Sequence, residues 1–119
     1  MKRFSFALLF CLVSPLALAS QPLKGDVYSP SKGVVCDKKA HFCADSQGIS
    51  LGFTKEYLGA KAEDIMMKRI HEGGGVDKYD LTWFAFSNGV DCKAKQRVCH
   101  VSKHSDKVDA IHTKALFGN

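Results

Sequence analysis

The sequence predicts an α+β fold: duplicated, disulfide-closed β-hairpin or meander units, each followed by a helix, in one small domain. Two observations carry this prediction. Four cysteines outside an apolar leader fall into two blocks of one spacing. Each block is then followed by apolar residues at helical period.

The leader comes first. Met1-Lys2-Arg3 is a short positive start, Phe4 to Val13 is almost wholly apolar, Pro15 breaks the run, and Ala17-Leu18-Ala19 supplies small residues. These are the parts of a secretory signal, residues 1–19, with cleavage expected before Ser20. A membrane span needs about 20 apolar residues, roughly twice what this stretch offers. Cys11 lies inside the apolar run and leaves with the signal. No other segment is long or apolar enough to span a bilayer, so no transmembrane segment is expected after cleavage.

Residues 20–119 remain, read as one α+β domain of two pseudo-repeats, about 25–72 and 76–119. Losing Lys2 and Arg3 lowers the formal net charge from +5 to +3. That is too mild to argue for a nucleic-acid partner, and export argues against one separately. A chain of this length buries a modest core, so covalent staples matter.

The first block, Gly33-Val34-Val35-Cys36 running on to Cys43, matches the second, Gly89-Val90-Asp91-Cys92 running on to Cys99. Both are G-V-x-C-x6-C, offset by 56 residues. Further along, Thr54-Lys55 with Leu58-Gly59 echoes Thr113-Lys114 with Phe117-Gly118. Each block reads as a hairpin. A two-residue turn at Lys39-Ala40 sets Cys36 opposite Cys43, and one at Lys95-Gln96 sets Cys92 opposite Cys99. Opposed Cβ atoms in a hairpin lie about 4.5–5.5 Å apart, within reach of a disulfide. The expected bridges are therefore Cys36–Cys43 and Cys92–Cys99, each contributing about 2–3 kcal/mol. Zinc binding by the thiolates is the competing reading, but zinc sites usually space cysteines by two to four residues, and an oxidising compartment favours the disulfide. Alternation turns Val34 and Cys36 to the core, with Val90, Cys92, Cys99 and Val101 as counterparts.

The remaining elements follow from local pattern. Val27-Tyr28 reads as a strand before a turn at Pro30-Ser31-Lys32-Gly33; Ser46-Gln47-Gly48 is a turn and Ile49-Ser50-Leu51 a short strand. Leu58, Ala62, Ile65, Met66 and Ile70 recur at helical spacing, with Thr54 as N-cap and Gly73-Gly74-Gly75 as terminator. Asp80 to Phe86 is apolar on both faces and reads as a central strand. Asn88-Gly89 then signals a hairpin. Strands are expected near 90–93 and 97–102, and a second helix from Ser105 to about Leu116.

The stretch G-V-V-C-D-K-K-A-H-F-C-A-D-S-Q-G-I-S-L, with T-K-E-Y-L-G-A-K-A, S-N-G-V-D-C and the ending H-T-K-A-L-F-G, resembles the Fels-1 prophage protein-like family. These are small exported proteins of enteric bacteria. The resemblance covers nearly all of the chain beyond the leader and implies a Gram-negative periplasmic location. It supplies no activity and no site residues.

The residues themselves offer little for catalysis. The chain lacks G-x-S-x-G, H-E-x-x-H and a phosphate-cradling glycine loop; its triple glycine follows a helix rather than preceding one. With the cysteines bridged no thiol nucleophile remains, so a non-enzymatic protein without a cofactor is expected. Two binding readings stand. In the first, the hairpin tips carry Lys38 and Lys39, and Lys93, Lys95 and Arg97, with Lys103 and Lys107 beyond. Packed side by side they would form one positive edge for an anionic envelope component, such as lipopolysaccharide phosphates, or for the acidic cleft of a wall-degrading enzyme. In the second, His100, His104 and His112, with Asp106 and Asp109, form a zinc or copper site. Lysines at turns and scattered surface histidines are the plain alternatives.

Overall fold

The computed structural model describes residues 23–119; the expected signal and its cleavage site lie outside the described residues. Among the described residues, seven strands and three α-helices form two antiparallel meanders, the first followed by two helices and the second by one. The first sheet runs in chain order through β1 (Val27–Ser31), β2 (Val34–Asp37), β3 (Phe42–Asp45) and β4 (Gly48–Ser50). The second contains β5 (Trp83–Ala85), β6 (Asp91–Lys93) and β7 (Val98–His100), also in chain order. The first sheet is followed by α1 (Leu51–Leu58) and α2 (Ala60–Glu72), and the second by α3 (Ala110–Phe117).

Both disulfides form as the spacing predicts. Cys36 pairs directly with Cys43 and Cys92 with Cys99 in the strand registers, and the bridged Cα atoms lie 3.9 and 4.0 Å apart. The connecting turns are longer than expected, spanning residues 38–41 and 94–97. Four residues have the same parity as two, so the cysteines still oppose each other. In the first turn Asp37 accepts the amide hydrogens of Lys39 and Ala40, and His41 N–H returns to the Asp37 carbonyl at 2.9 Å. In the second, Ala94–Gln96 forms a 3-10 turn and Arg97 N–H returns to Ala94 at 3.1 Å. Each turn closes on a left-handed residue, His41 (φ 62°) or Arg97 (φ 55°), again 56 positions apart.

The helix starts differ from expectation in an informative way. Ser50, not Thr54, caps α1, its hydroxyl accepting Phe53 N–H at 3.0 Å. Strand β4 thus runs straight into the helix. Thr54 sits one turn inside, buried, where its hydroxyl donates to the Ser50 carbonyl and accepts Cys43 N–H. Gly59 (φ 97°) separates α1 from α2, and Gly73 ends α2 as the triple glycine predicts. Helix α3 begins at Ala110 rather than Ser105, capped by Asp109. The preceding segment is drawn back along β7 by Val101 N–H to Lys107 O and Asp109 N–H to Cys99 O, so it cannot enter a helix.

Residues of both halves share the main apolar cluster, including Val35, Phe42 and Ala44 from the first sheet, Met66 and Ile70 from α2, Phe84 and Phe86, and Leu116 and Phe117 from α3. The Cys36–Cys43 bridge belongs to a smaller cluster with Val34 beneath Phe53, Tyr57 and Leu58 of α1. Strand β2 is therefore buried on both faces, not on the Val34/Cys36 face alone. Val101, expected in the core, is 36% exposed. Strand β5 is an edge rather than a central strand. Phe84 and Phe86 point inward, Phe86 stacking on Phe42 at 5.4 Å, while Trp83 and Ala85 face out. The sheets touch where Ile49 N–H donates to Leu81 O at 2.8 Å. Gly48 (φ 125°) permits that approach, because a Cβ there would collide with the Leu81 carbonyl.

Candidate functional site

Strand alternation divides the second sheet into two faces. Phe84, Cys92 and Cys99 turn into the core. The other face carries Trp83 and Ala85 from β5, Asp91 and Lys93 from β6, and Val98 and His100 from β7, with Val108 bridged opposite His100. Trp83 is 46% exposed, yet it is held firmly. Its indole Nε1–H donates to the Asp91 carboxylate oxygens at 2.9 and 3.1 Å. Lys93 Nζ lies 4.9 Å from the centre of a Trp83 ring and 3.9 Å from Asp91 Oδ2. Indole, carboxylate and ammonium thus lock one another, and the Asp91 carboxylate is covered by its own partners. The charge left for a ligand is positive. Beside Trp83 an open groove of about 260 Å³ is lined by Trp83, Phe84, Ala85, Asp91 and Lys103.

The other candidate cations are distributed along β5. Ala94 N–H of the second tip donates to Thr82 O, at one end of that strand. The first tip is clasped at the other end, where the Asp37 carboxylate accepts Ser87 N–H and Oγ–H at 2.6 and 2.9 Å. Thr82 and Ser87 flank β5 on either side. Lys93, Lys95 and Arg97 thus belong to the tip anchored at Thr82, and Lys38 and Lys39 to the tip anchored at Ser87. Lys38 rests on the Tyr28 ring, 5.0 Å from its centre. Lys95 borders a groove formed by residues 76–82. There the Thr82 hydroxyl and amide hydrogens hold the Asp80 carboxyl below its ordinary range, against desolvation, with Lys95 adding a smaller pull. Arg97 folds back on α3, donating to Phe117 O at 2.7 Å.

The three histidines stay apart in role. His104 is exposed in the turn after β7, and His100 is half-buried within β7. His112 is buried on α3 against Phe86, 5.6 Å between ring centres. Its Nδ1 lies 2.8 Å from Asp109 Oδ1, and its Nε2 lies 3.1 Å from Asn88 Nδ2. Asn88 Oδ1 already accepts Val90 N–H, so the Asn88 amide can only donate to the ring. Both ring nitrogens are therefore engaged, Nδ1 by Asp109 and Nε2 by Asn88. Desolvation pushes the Asp109 carboxyl up, but hydrogen bonds from the His112 amide and ring outweigh it and hold the group low. A histidine–aspartate pair invites a catalytic reading. Here Asn88 occupies the nitrogen that a base would use, and the pair fastens α3 to the 86–90 turn. Among the described residues, no group of three or more His, Cys, Asp or Glu side chains is gathered to hold a metal ion.

Reading the sequence alone missed Trp83 and Asp37 as key positions. Trp83 alternates with Phe84 and shares its outward parity with Ala85, and it is the only tryptophan in the chain. Asp37, directly after a half-cystine and before Lys-Lys-Ala, carries a turn-capping signal.

The model of the YcgJ protein family matches residues 27–117. The chain is also 35% identical over 108 residues to an uncharacterised protein YcgJ of Escherichia coli (strain K12), covering 85% of this chain and 81% of that one. No solved structure matches. Neither name carries an enzymatic activity. On residues 27–117, which hold both cysteine blocks and the Trp83 face, the chain belongs to the YcgJ protein family.

Proposed function

We propose that this protein is a small, exported, disulfide-stabilised binding module of the Gram-negative periplasm, without enzymatic activity, that engages an anionic partner. One observation carries the reading: a half-exposed Trp83, fixed by Asp91 and overlaid by Lys93, on a sheet face that leaves Trp83 and Ala85 exposed among the described residues. Exposed tryptophans held in one orientation contribute heavily to recognition, because little entropy is lost when they are covered. Lys93 and Lys103 give that face its sign, and Lys95 extends it toward the second tip.

The compartment rests on other support. The leader has the three parts of a secretory signal. Both disulfides need an oxidising environment to persist. Among the described residues no helix is long and apolar enough to cross a membrane. The resemblance to the Fels-1 prophage protein-like family, which the YcgJ match leaves aside, points to the same compartment.

Affinity capture from a periplasmic extract tests the function. Immobilised wild-type protein should retain a component that Trp83→Ala and Lys103→Glu variants, both changed at the surface, do not retain. Equal retention by wild type and variants would overturn the reading.

A further inference from the structure

The two hairpins superpose by sequence at an offset of 56, which sets Val35, Asp37, Phe42 and Ala44 of the first sheet in register with Asp91, Lys93, Val98 and His100 of the second. These are equivalent faces with opposite fates. The first-sheet face is buried. Helix α3 packs against β2 and β3, the Phe84 and Phe86 rings cover Phe42, and Ser87 closes over Asp37. The second-sheet face carries Trp83 and Ala85 exposed and Lys93, Val98 and His100 half-exposed.

Resting on the binding reading above, we infer that this open face receives an amphipathic helix of a partner protein whose carboxylates meet Lys93 and Lys103. The covered face supplies the pattern for the occupant: a helix laid across the hairpin, with apolar side chains between the strands. Charge supplies the chemistry. At position 37 an aspartate accepts hydrogens from the segment that covers it. At the equivalent position 93 stands a lysine, so the covering segment must bring acceptors. Asp91, buried and engaged by Trp83 and Lys93, balances one of the two lysines, so the face keeps a net single positive charge with Lys103 at the groove. Val98, Val108 and the indole give the apolar part of the contact, and the groove beside Trp83 is open along one side, as a groove for a partner's helix would be. In a second copy α3 packs against both sheets, and α2 balances Glu63, Asp64 and Glu72 with Lys61, Lys68 and Arg69, so neither offers an acidic helix.

Trp83 is the only tryptophan, so its fluorescence reports this face alone. The experiment titrates the disulfide-bonded protein with a synthetic helical peptide of leucine, alanine and glutamate. The same peptide with lysine for glutamate, and phosphatidylglycerol vesicles, serve as separate probes. The expected result is a saturable blue shift with the glutamate peptide and none with the lysine peptide. Affinity should fall at least ~10-fold in Lys103→Glu, which lies outside the core and keeps the fold, and likewise in Lys93→Glu. Silence toward the glutamate peptide, equal response to both peptides, or response to vesicles alone would overturn the inference. Such a result, with a periplasmic component still captured through Trp83, rejects the acidic helix and leaves the binding reading standing.

Discussion

The Asp37 carboxylate accepts both the amide and the hydroxyl hydrogens of Ser87, 50 residues away, at 2.6 and 2.9 Å. Asp37 is fully buried, and its remaining partners are the amides of Lys39 and Ala40. One side chain thus shapes the first hairpin tip and ties it to the turn after β5. Asp37→Ala removes the acceptor of four part-buried hydrogen bonds and should cost about 2–3 kcal/mol. Ser87→Ala removes only the hydroxyl bond and should cost about 1–2 kcal/mol. Urea unfolding measures both, and an Asp37→Ala protein as stable as wild type would contradict this role.

Thr54 and Thr113 do the same work in the two halves. Thr54 Oγ1 accepts Cys43 N–H at 2.8 Å, and Thr113 Oγ1 accepts Cys99 N–H at 2.9 Å. Each ties the second cysteine of its block to the following helix. Valine matches threonine in shape but leaves the buried amide unpaired. Thr54→Val and Thr113→Val should therefore each cost about 1–2 kcal/mol, and threonine-to-serine changes less. The two sites lie in separate halves, so the double variant should be near-additive in urea midpoints.

Acid should weaken the attachment of α3. The folded Asp109 carboxyl lies below its ordinary value, because hydrogen bonds from His112 overcome the upward push of desolvation. A depressed carboxylate contributes stability above its unfolded value, near pH 4, and loses it as pH falls through the folded one. Asp109→Asn keeps a capping oxygen but has no such titration. The stability gap between wild type and Asp109→Asn should be open at neutral pH and narrow as the pH falls below the ordinary carboxylate value. A gap that widens on acidification would reverse the assignment.

Local disulfides make the halves separable. Cleavage at Lys61, Lys68 or Arg69 under denaturing, non-reducing conditions should release two fragments, each with one intact bridge. Fragments that stay joined until reductant is added would refute the pairing. The double change Cys92→Ser with Cys99→Ser should leave Cys36–Cys43 formed in a protein weakened by about 2–3 kcal/mol.

Local features were the legible ones. The bridges could be read because Cys36 and Cys43, like Cys92 and Cys99, oppose each other whether the tip holds two residues or four. The glycine terminator after α2 was equally plain. Illegible features depended on what packs where. Thr54 looks like a helix cap, a small polar residue ahead of an apolar period, until Cys43 is seen to need its hydroxyl. Asp80 to Phe86 reads as a central strand because Trp83 and Ala85 are apolar, and only the position of the first sheet makes β5 an edge. The anchoring of the basic tips was equally illegible: Asp37 binds Ser87 and Ala94 binds Thr82, on either side of β5.

The most direct measurement of the binding claim is in-cell crosslinking at Ala85, which is exposed beside Trp83 on the open face. A photoreactive residue there, in the full chain exported by a Gram-negative host, is compared with one at Lys61 on the exposed side of α2. The expected result is a discrete light-dependent protein adduct from position 85, absent from position 61 and lost when Lys103→Glu is added. No adduct at position 85, or the same adduct from both positions, would contradict the assignment of this face as the binding surface.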